Sequence, residues 1–521
     1  MKINLLEKEI KNINNRAETE IKNNNELYIN TTFEEVKNIV GILMNNLRLV
    51  FVGEFCIQEK SFIINIILTN RRQGYFVTVR YNVTDELVSL QDFVPQSNLF
   101  EREISDLYGI KIVDGKDTRN IVKHEIWQEN VFPLRKDYAF GSKVKLASEV
   151  SRYKFMRISG EGGYQIPVGP VHAGIIEPGH FRFSATGEPI ENLEIRLMYK
   201  HKGIEKICEN INANNLNLLF ERVAGESSVA YAECYALLVE KLIEWKSTDE
   251  VKAVRVVLLE LERIYNYLDD ITGICVDIGY SYPPKKFSYL SEMIHQLCER
   301  LTGSRFLRNA IVPCGINIDF NEVQKADILY TLKNIEKRLN NIIESTLGSV
   351  SFLDRVEHTG VVYNKTANKI ALTGVVGRSA GIEYDVRRNF PYEIYKEIKT
   401  KTNTETAGGV FERYKLKIAE IKDAFIFIRK ALSLIEGDVV KNKPEIILQD
   451  GLEAYATVET VKGELVVYGK TGENNTFDRI YFKTPSFTNW NGLTYAVAGE
   501  IVPDFPLCNK SFNMSYAEND R

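Results

Sequence analysis

Two short stretches hold acids, bases and guanidinium groups at spacings that chemistry can use. In IIEPGHF, Glu177 and His180 stand three residues apart beside Pro178-Gly179. An acid and an imidazole on one rigid turn could pass protons, because histidine titrates near physiological pH and a partly buried glutamate is raised towards it. The competing role is a capping or hydrogen-bonding pair that only fixes the turn. His172, in GPVHAG, could line the same cavity or simply satisfy loop carbonyls. In VGRSAGIEYDVRR, Arg378 and Asp385 form a second constellation. The planar fork of Arg378 could hold an anionic or carbonyl oxygen; the alternative is a buried Arg–Asp pair that ties turn to helix. Arg387 and Arg388 fit a structural or interface role.

The other reactive types are dispersed. Seven cysteines lie at 56, 208, 234, 275, 298, 314 and 508, with no CxxC pair. An odd, scattered set argues against a disulfide framework and fits a reducing compartment. It also argues against a tetrathiolate site, which draws its ligands in close pairs. Cys208 and Cys234 fall in helical pattern and read as small buried hydrophobes. The six histidines form no HExxH or HxxxH. SGEGGYQ at 159–165 is not followed by a helix, as a phosphate-cradling loop would be. No metal ligand set is therefore expected from this chain.

The elements that must position these residues follow from periodicity. Residues 33–48 have apolar positions at helical spacing, and apolar or alternating runs follow at 49–56, 61–68 and 75–83, the pattern of a small α+β domain. FEREISDLYGIKIVDGKD (100–117) starts as an acidic helix that Gly109 can end. Its charges would suit packing against another chain, or local capping. VFPLRKDY (131–138) is an extended connector, since Pro133 resists helix. Residues 139–157 read as a linker, and 179–186 and 190–199 as strands of a small sheet. Long 3.6-residue periodicity marks helices at 252–279, 285–303, 323–348 and 410–436. A Gly/Arg-rich turn region occupies 372–392, and the end, 452–486, is β-rich. The expected fold is a small N-terminal α+β domain (1–138), a linker (139–157) and a mainly α-helical bundle with small marginal β-sheets (158–521).

With 521 residues, 44% hydrophobic, 26% charged and a formal net charge of −4, the chain has the composition of a globular protein and no basic bias that would suit nucleic acid. No run approaches the ~20 apolar residues that span a bilayer, and the charged, Asn-rich start is unlike a signal peptide. The expectation is a cytoplasmic protein that could dock on a membrane complex.

The motifs themselves resemble a known family. FEREISDLYGI with PLRKDY resembles the signature of the 30-kDa-type subunit of respiratory complex I. GPVHAGIIEPGHFRF, YKHKGIEK, LELERIYNYLDDITGIC, GSRFLRNAIVP, GRSAGIEYDVRRNFPY and TPSFTNW resemble, in order, the large subunit of membrane-bound energy-converting [NiFe] hydrogenases, itself similar to the 49-kDa-type subunit of complex I. The resemblance implies a hydrogenase-large-subunit-like second domain fused to the first. Metal-bearing members hold nickel and iron with four cysteines, in R-[IV]-C-x-x-C and D-P-C-x-x-C. Here ERVAGESS puts Ala224 and Ser227 at the first two positions. DFPLCN puts Pro506 and Asn509 at the second two and leaves Cys508 out of register. Alanine and proline donate nothing, and serine and asparagine are neutral and hard, whereas the metals need soft thiolates.

The resemblance therefore implies a metal-free cavity, bounded by His172, Ala224, Ser227 and Cys508, of the kind that forms part of a quinone site in complex I. His180 corresponds to that subunit's quinone-contacting histidine; its tyrosine falls near Ala213. In metal-bearing relatives an Arg equivalent to Arg378 stands over the metal, with Asp385 in the same wall. Glu226 is either a proton carrier beside the vacated site or a first-turn acid favoured by the following helix dipole. The implied partners are an iron–sulfur small subunit with an adjacent [4Fe–4S] cluster and antiporter-like membrane subunits, and the implied place is the cytoplasmic side of the cell membrane. The implied activity is redox or proton transfer, of the NADH:quinone oxidoreductase or hydrogenase kind, coupled to ion movement and not carried by the chain alone. The alternatives are a structural scaffold without catalysis and a NiFe hydrogenase.

Overall fold

The computed structural model describes residues 2–13, 18–23, 25–156, 162–172, 176–398 and 401–521. The start of SGEGGYQ, the boundary at 158 and residues 173–175 of GPVHAGIIEPGHFRF lie outside them. The chain is a mixture of small sheets and many helices.

The first sheet has the order β1 (Glu18–Lys22), β2 (Glu26–Thr31), β5 (Tyr75–Val83), β4 (Phe62–Asn70), β3 (Val50–Gln58), antiparallel except for the β2–β5 pair. Helices α1 (Lys2–Ile13), α2 (Val36–Asn45) and α3 (Ser97–Tyr108) accompany it. The run FIINIILTN does not alternate because both of its faces are buried. One cover is α3, whose Phe100 meets Phe51 edge-on. The other is the late sheet β13 (Glu453–Thr460), β14 (Gly463–Gly472), β15 (Thr476–Lys483): Phe55 stacks on Tyr481 at 4.4 Å, and Thr78 shares a 3.0 Å hydrogen bond with Tyr455. As its sequence suggests, α3 ends at Gly109, in the left-handed region at φ 72°, where a Cβ would strike the Phe132 ring.

The charges of FEREISDLYG are consumed inside this chain. Glu101 accepts from Leu90 N–H at 2.7 Å, Asp106 from the N–H groups of Ile121 (2.8 Å) and Val122 (2.7 Å), and Glu103 pairs with Arg521. Glu101 and Asp106 thus hold backbone N–H groups and Glu103 an ion pair, while Arg102 reaches Asp117 and the Arg119 carbonyl.

In chain order the helical part lies between these two sheets. Its axis is α7 (Asp249–Asp277), whose residues 253–268 are all buried; a helix buried all round is a core element. Thr248 caps it by accepting from Val251 N–H, and Asp249 and Glu250 complement its dipole. α7 packs against α6 (Ser228–Leu242), α8 (Tyr282–Thr302), α14 (Val410–Ser433) and α16 (Phe505–Phe512). α9 (Glu322–Leu347), opened by an Asn321/Gln324 capping box, packs on α8.

The sheet at 163–196 has three strands, β8 (Gly163–Val168), β9 (His180–Thr186) and β10 (Ile190–Arg196), in the order β10-β9-β8. The end of the connector lies on one face of it: Phe155 meets His180, and Arg196 sits over the Tyr153 ring. Residues 372–392 hold two short helices, α12 (Gly374–Ser379) and α13 (Val386–Asn389), and the β-rich end gives way at Thr484 to α15 (Pro485–Ala496). α17 (Tyr516–Asp520) closes the chain. No helix among the described residues is long and apolar enough to cross a membrane.

Candidate functional site

The loop from β8 to β9 is tied by its own histidines. His180, the first residue of β9, bonds through Nδ1 to the Gly169 carbonyl at 3.0 Å, and His172 bonds through Nε2 to the Gly179 carbonyl at 2.8 Å. A carbonyl only accepts, so Nδ1 of His180 carries the proton and Nε2 of the neutral ring keeps its lone pair. That Nε2 is buried and has no hydrogen-bond partner among the described residues. Burial lowers the His180 pKa below the ordinary imidazole value.

Glu177 is held elsewhere. Its Oε2 accepts from Ala517 N–H at 2.9 Å, in the first turn of α17, and its Oε1 lies 3.0 Å from Lys200 Nζ. No hydrogen bond joins Glu177 to His180 among the described residues. The two neighbours in sequence thus face different groups.

In ERVAGESS, Ala224 is extended and fully buried, Gly225–Ser227 form a 3-10 turn, and α6 begins at Ser228. The open N–H groups of α6 are satisfied from α7: the Glu262 carboxylate accepts from Val229 N–H at 2.6 Å and from Ala230 N–H at 3.1 Å. Asn266 fixes the turn by donating to the Glu226 carbonyl at 2.8 Å, and Lys202 Nζ reaches the Val223 carbonyl at 2.8 Å. The cap is therefore Glu262, while Glu226 contributes its backbone. The Ser227 hydroxyl is buried and has no hydrogen-bond partner among the described residues. Tyr231, on the first turn of α6, donates to Glu518 at 3.1 Å; Ser486, through both N–H and hydroxyl, holds the other oxygen. Burial pushes the Glu262 carboxyl up to about 8 and Glu518 up to about 7.

The nickel–iron group implied by the large-subunit resemblance does not fit these residues. A methyl, a buried hydroxyl, a proline ring and an amide stand at Ala224, Ser227, Pro506 and Asn509, and none is a thiolate. Cys508 packs beside Gly360. A Cβ at Gly360 would lie 2.7 Å from its Sγ, on the side where Arg413 is buried, and burial pushes the thiol up to about 12. Among the described residues, no three His, Cys, Asp or Glu side chains come together as a ligand set.

Arg378 and Asp385 do come together, inside a larger buried ion network. Arg378 Nη1 donates to Glu459 at 2.7 Å, and its Nη2 lies 3.2 Å from Glu420. Asp385, 3.7 Å from Arg378, is gripped by Arg387 at 2.6 Å and caps α13 through Arg387 N–H. Arg387 continues to Glu420 (2.6 Å) and Glu260 (3.3 Å), and Tyr395 donates to Glu260. Burial alone would raise the Asp385 carboxyl, but Arg387 and Arg378 outweigh it and hold it below the usual carboxylate range. A cavity of about 290 Å³ opens onto Asp385, Arg387 and Glu420. No hydrogen bond or ion pair among the described residues links this network to Glu177 or His180.

A second cavity, of about 190 Å³, adjoins the strand pair that carries His180. Arg196, the cross-strand neighbour of His180, lines it with Tyr153, Phe487, Trp490, Arg102 and Arg119. Near Ala213 the fold has its own phenol: Tyr235 donates to the Ala213 carbonyl at 2.5 Å. Glu262, Glu518, Glu420 and Glu459 were not singled out by the sequence motifs. The one local signal is Ser515-x-x-Glu518, a capping-box spacing in which Ser515 accepts from Glu518 N–H.

Residues 29–144 match the respiratory-chain NADH dehydrogenase 30 kDa subunit, and residues 277–451 and 447–521 match the 49 kDa subunit. The chain thus carries fused 30 kDa and 49 kDa complex I domains. Among curated proteins it is similar to hydrogenase-4 component G of Escherichia coli K12, at 28% identity over 445 residues (84% of this chain, 76% of that protein). It is also similar to an NADH-quinone oxidoreductase subunit of Phocaeicola vulgatus, at 28% over 428 residues (77% and 80%), and to an F(420)H(2) dehydrogenase subunit of Methanosarcina mazei, at 26% over 368 residues (68% and 97%).

Proposed function

We propose that this chain is a peripheral-arm subunit of a membrane-bound oxidoreductase complex related to complex I and the energy-converting hydrogenases. Residues 1–138 form its 30-kDa-type α+β module, 139–157 the connector, and 158–521 a large-subunit-type helical module. Its metal-free cavity takes a quinone or another small acceptor, and reduction there is coupled to ion movement through antiporter-like membrane partners on the cytoplasmic side. Electrons would reach the acceptor from a [4Fe–4S] cluster in a small-subunit partner.

The observation that carries this reading is the pairing of four replaced thiolate positions with two unpartnered buried polar atoms. All four thiolate positions are replaced, yet the His180 Nε2 and the Ser227 hydroxyl are among the buried polar atoms left without hydrogen-bond partners among the described residues, and each is free to meet a ligand. A neutral His180 accepts a hydrogen bond at Nε2 and so suits the O–H of a reduced acceptor. Protonated, it donates, and so suits a quinone carbonyl. That ring can pass one proton to the acceptor oxygen as electrons arrive. The 190 Å³ cavity, lined by Arg196 beside His180 but not by His180 or Ser227 themselves, has aromatic and guanidinium walls of a kind that stacks on a flat ring and binds its carbonyls.

The opposing reading, a scaffold, is favoured by the fact that Glu177, Arg378 and Asp385 all have partners within the chain. The deciding experiment is purification of the intact complex, with quinone-reductase and hydrogen-uptake assays on that preparation. Quinone reduction lost on His180→Ala with assembly intact supports the acceptor site; unchanged turnover assigns the scaffold. Nickel near one atom per chain would overturn both.

A further inference from the structure

The antiparallel pair α8 and α9 encloses an open groove of about 700 Å³ on the surface. Its walls carry Lys285, Lys286 and Arg338, with Tyr282 and Tyr289, and no carboxylate. The tyrosines are 58% and 53% exposed. The cations stand over their rings, Lys286 at 5.4 Å from the Tyr282 centroid and Arg338 at 5.7 Å from that of Tyr289. None of the three cations has an ion pair among the described residues, whereas the buried Arg255, Arg378, Arg387 and Arg521 are bound to acids. The acids near in sequence, Glu292, Glu336 and Glu344, lie outside the lining; Glu292 pairs with Arg305 and Glu336 with Arg429.

The same end of the bundle has an apolar rim. α7 ends beside Val276, 57% exposed; α9 ends at the exposed Leu347; and the helix Val350–Val356 begins at Val350, 80% exposed. Ser345 and Tyr282 both line the groove, so these ends are adjacent. Unpaired cations and amphipathic tyrosines thus lie at the same end of the bundle as these exposed aliphatic side chains.

We propose that this groove and its rim are a docking surface for anionic phospholipid at a bilayer surface. The phosphate groups would sit between Lys285, Lys286 and Arg338, the tyrosine rings at headgroup depth, and Val276, Leu347 and Val350 against the acyl boundary. An acidic protein segment would satisfy the cations but leave the rim in water. With a net charge of −4 the chain as a whole is not drawn to an anionic surface, so attraction must come from this local patch. The inference is independent of what fills the redox cavity.

The test is co-sedimentation of the full chain with vesicles. Wild type should bind vesicles containing phosphatidylglycerol, weaken as salt rises, and ignore pure phosphatidylcholine. Each cation near such a surface contributes about a fivefold factor, so Lys285→Gln/Lys286→Gln/Arg338→Gln should weaken binding on the order of a hundredfold. Lys285→Arg/Lys286→Arg should keep it, as should the distant control Lys441→Gln/Lys443→Gln; together they guard against misfolding. Equal binding to both vesicle types, or wild-type binding by the triple variant, overturns the proposal. So does competition by millimolar inorganic phosphate, which would indicate a small-anion pocket, or binding of polyglutamate without vesicle binding.

Discussion

Glu262 of α7 holds the first turn of α6 by accepting the Val229 N–H at 2.6 Å, which fixes ERVAGESS against the central helix. Both its oxygens are used, the second by Ala230, in a fully buried place. Glu262→Ala would strand two buried N–H groups and cost about 2–4 kcal/mol. Glu262→Gln keeps one acceptor oxygen and, being neutral, avoids the burial cost that raises this carboxyl, so it should cost less. Thermal unfolding of the two variants checks the order; an alanine variant as stable as wild type would remove the cap from the account.

Glu518 gives a pH dependence of known sign. Its folded pKa, about 7, lies above the ordinary 4.5, because burial disfavours the carboxylate. The folded state therefore holds a proton that the unfolded chain releases, and this contribution is complete below pH 4.5 and lost as pH rises through 7. Glu518→Gln stays neutral throughout. Its stability should change less between pH 5 and pH 8 than that of wild type, with a relative gain at pH 8 of up to ~3 kcal/mol. Denaturant midpoints at both pH values decide; parallel shifts in the two proteins would refute it.

Arg378 faces three buried acids, Glu459, Glu420 and Asp385; Arg387 also pairs with the last two, while Glu459 has no other ion pair among the described residues. Arg378→Ala should destabilise by about 3–5 kcal/mol, the usual result of leaving buried charge uncompensated. Arg378→Lys restores the charge without the planar fork and should fall between the two. The alanine deficit should shrink as pH falls, because Glu459, already raised by burial, can then take up a proton. A deficit independent of pH would mean that lost packing dominates.

Long periodic segments were legible in the sequence because local pattern alone specifies them. The expected helices at 252–279, 285–303 and 323–348 are Asp249–Asp277, Tyr282–Thr302 and Glu322–Leu347. The strand Gly163–Val168 and the helix Pro485–Ala496 were not, although Thr484 before Pro485 is an N-cap and N1 signal. The site was harder for a physical reason. Periodicity shows that LELERIYNYL is helical, but not that Glu260 and Glu262 are both buried and look to opposite partners, Arg387 and the start of α6. Likewise Glu177 and His180 share a turn, yet strand direction and the docking of α17 send their side chains apart. Contacts such as Arg378 with Glu459 join residues far apart in the chain, and no spacing rule reaches them.

His180 sets the last expectation. Its Nδ1 proton is committed to Gly169, so only Nε2 is available to an acceptor, and burial keeps the ring neutral at pH 7. A carbonyl acceptor needs the protonated ring as donor, so quinone affinity in the intact complex should rise as pH falls below 6.5, through the lowered pKa, while affinity for the reduced quinol should fall. His180→Gln, whose amide can both donate and accept, should bind both forms and lose that pH dependence, with turnover reduced by about 10²–10⁴-fold for want of a proton donor. Glu177→Gln should leave the pH profile in place, since its carboxylate serves Ala517 and Lys200. Binding titrations of both redox forms at two pH values, alongside steady-state rates, separate the cases. A His180→Gln complex with wild-type rates and an unaltered pH profile would show that this histidine only ties its loop.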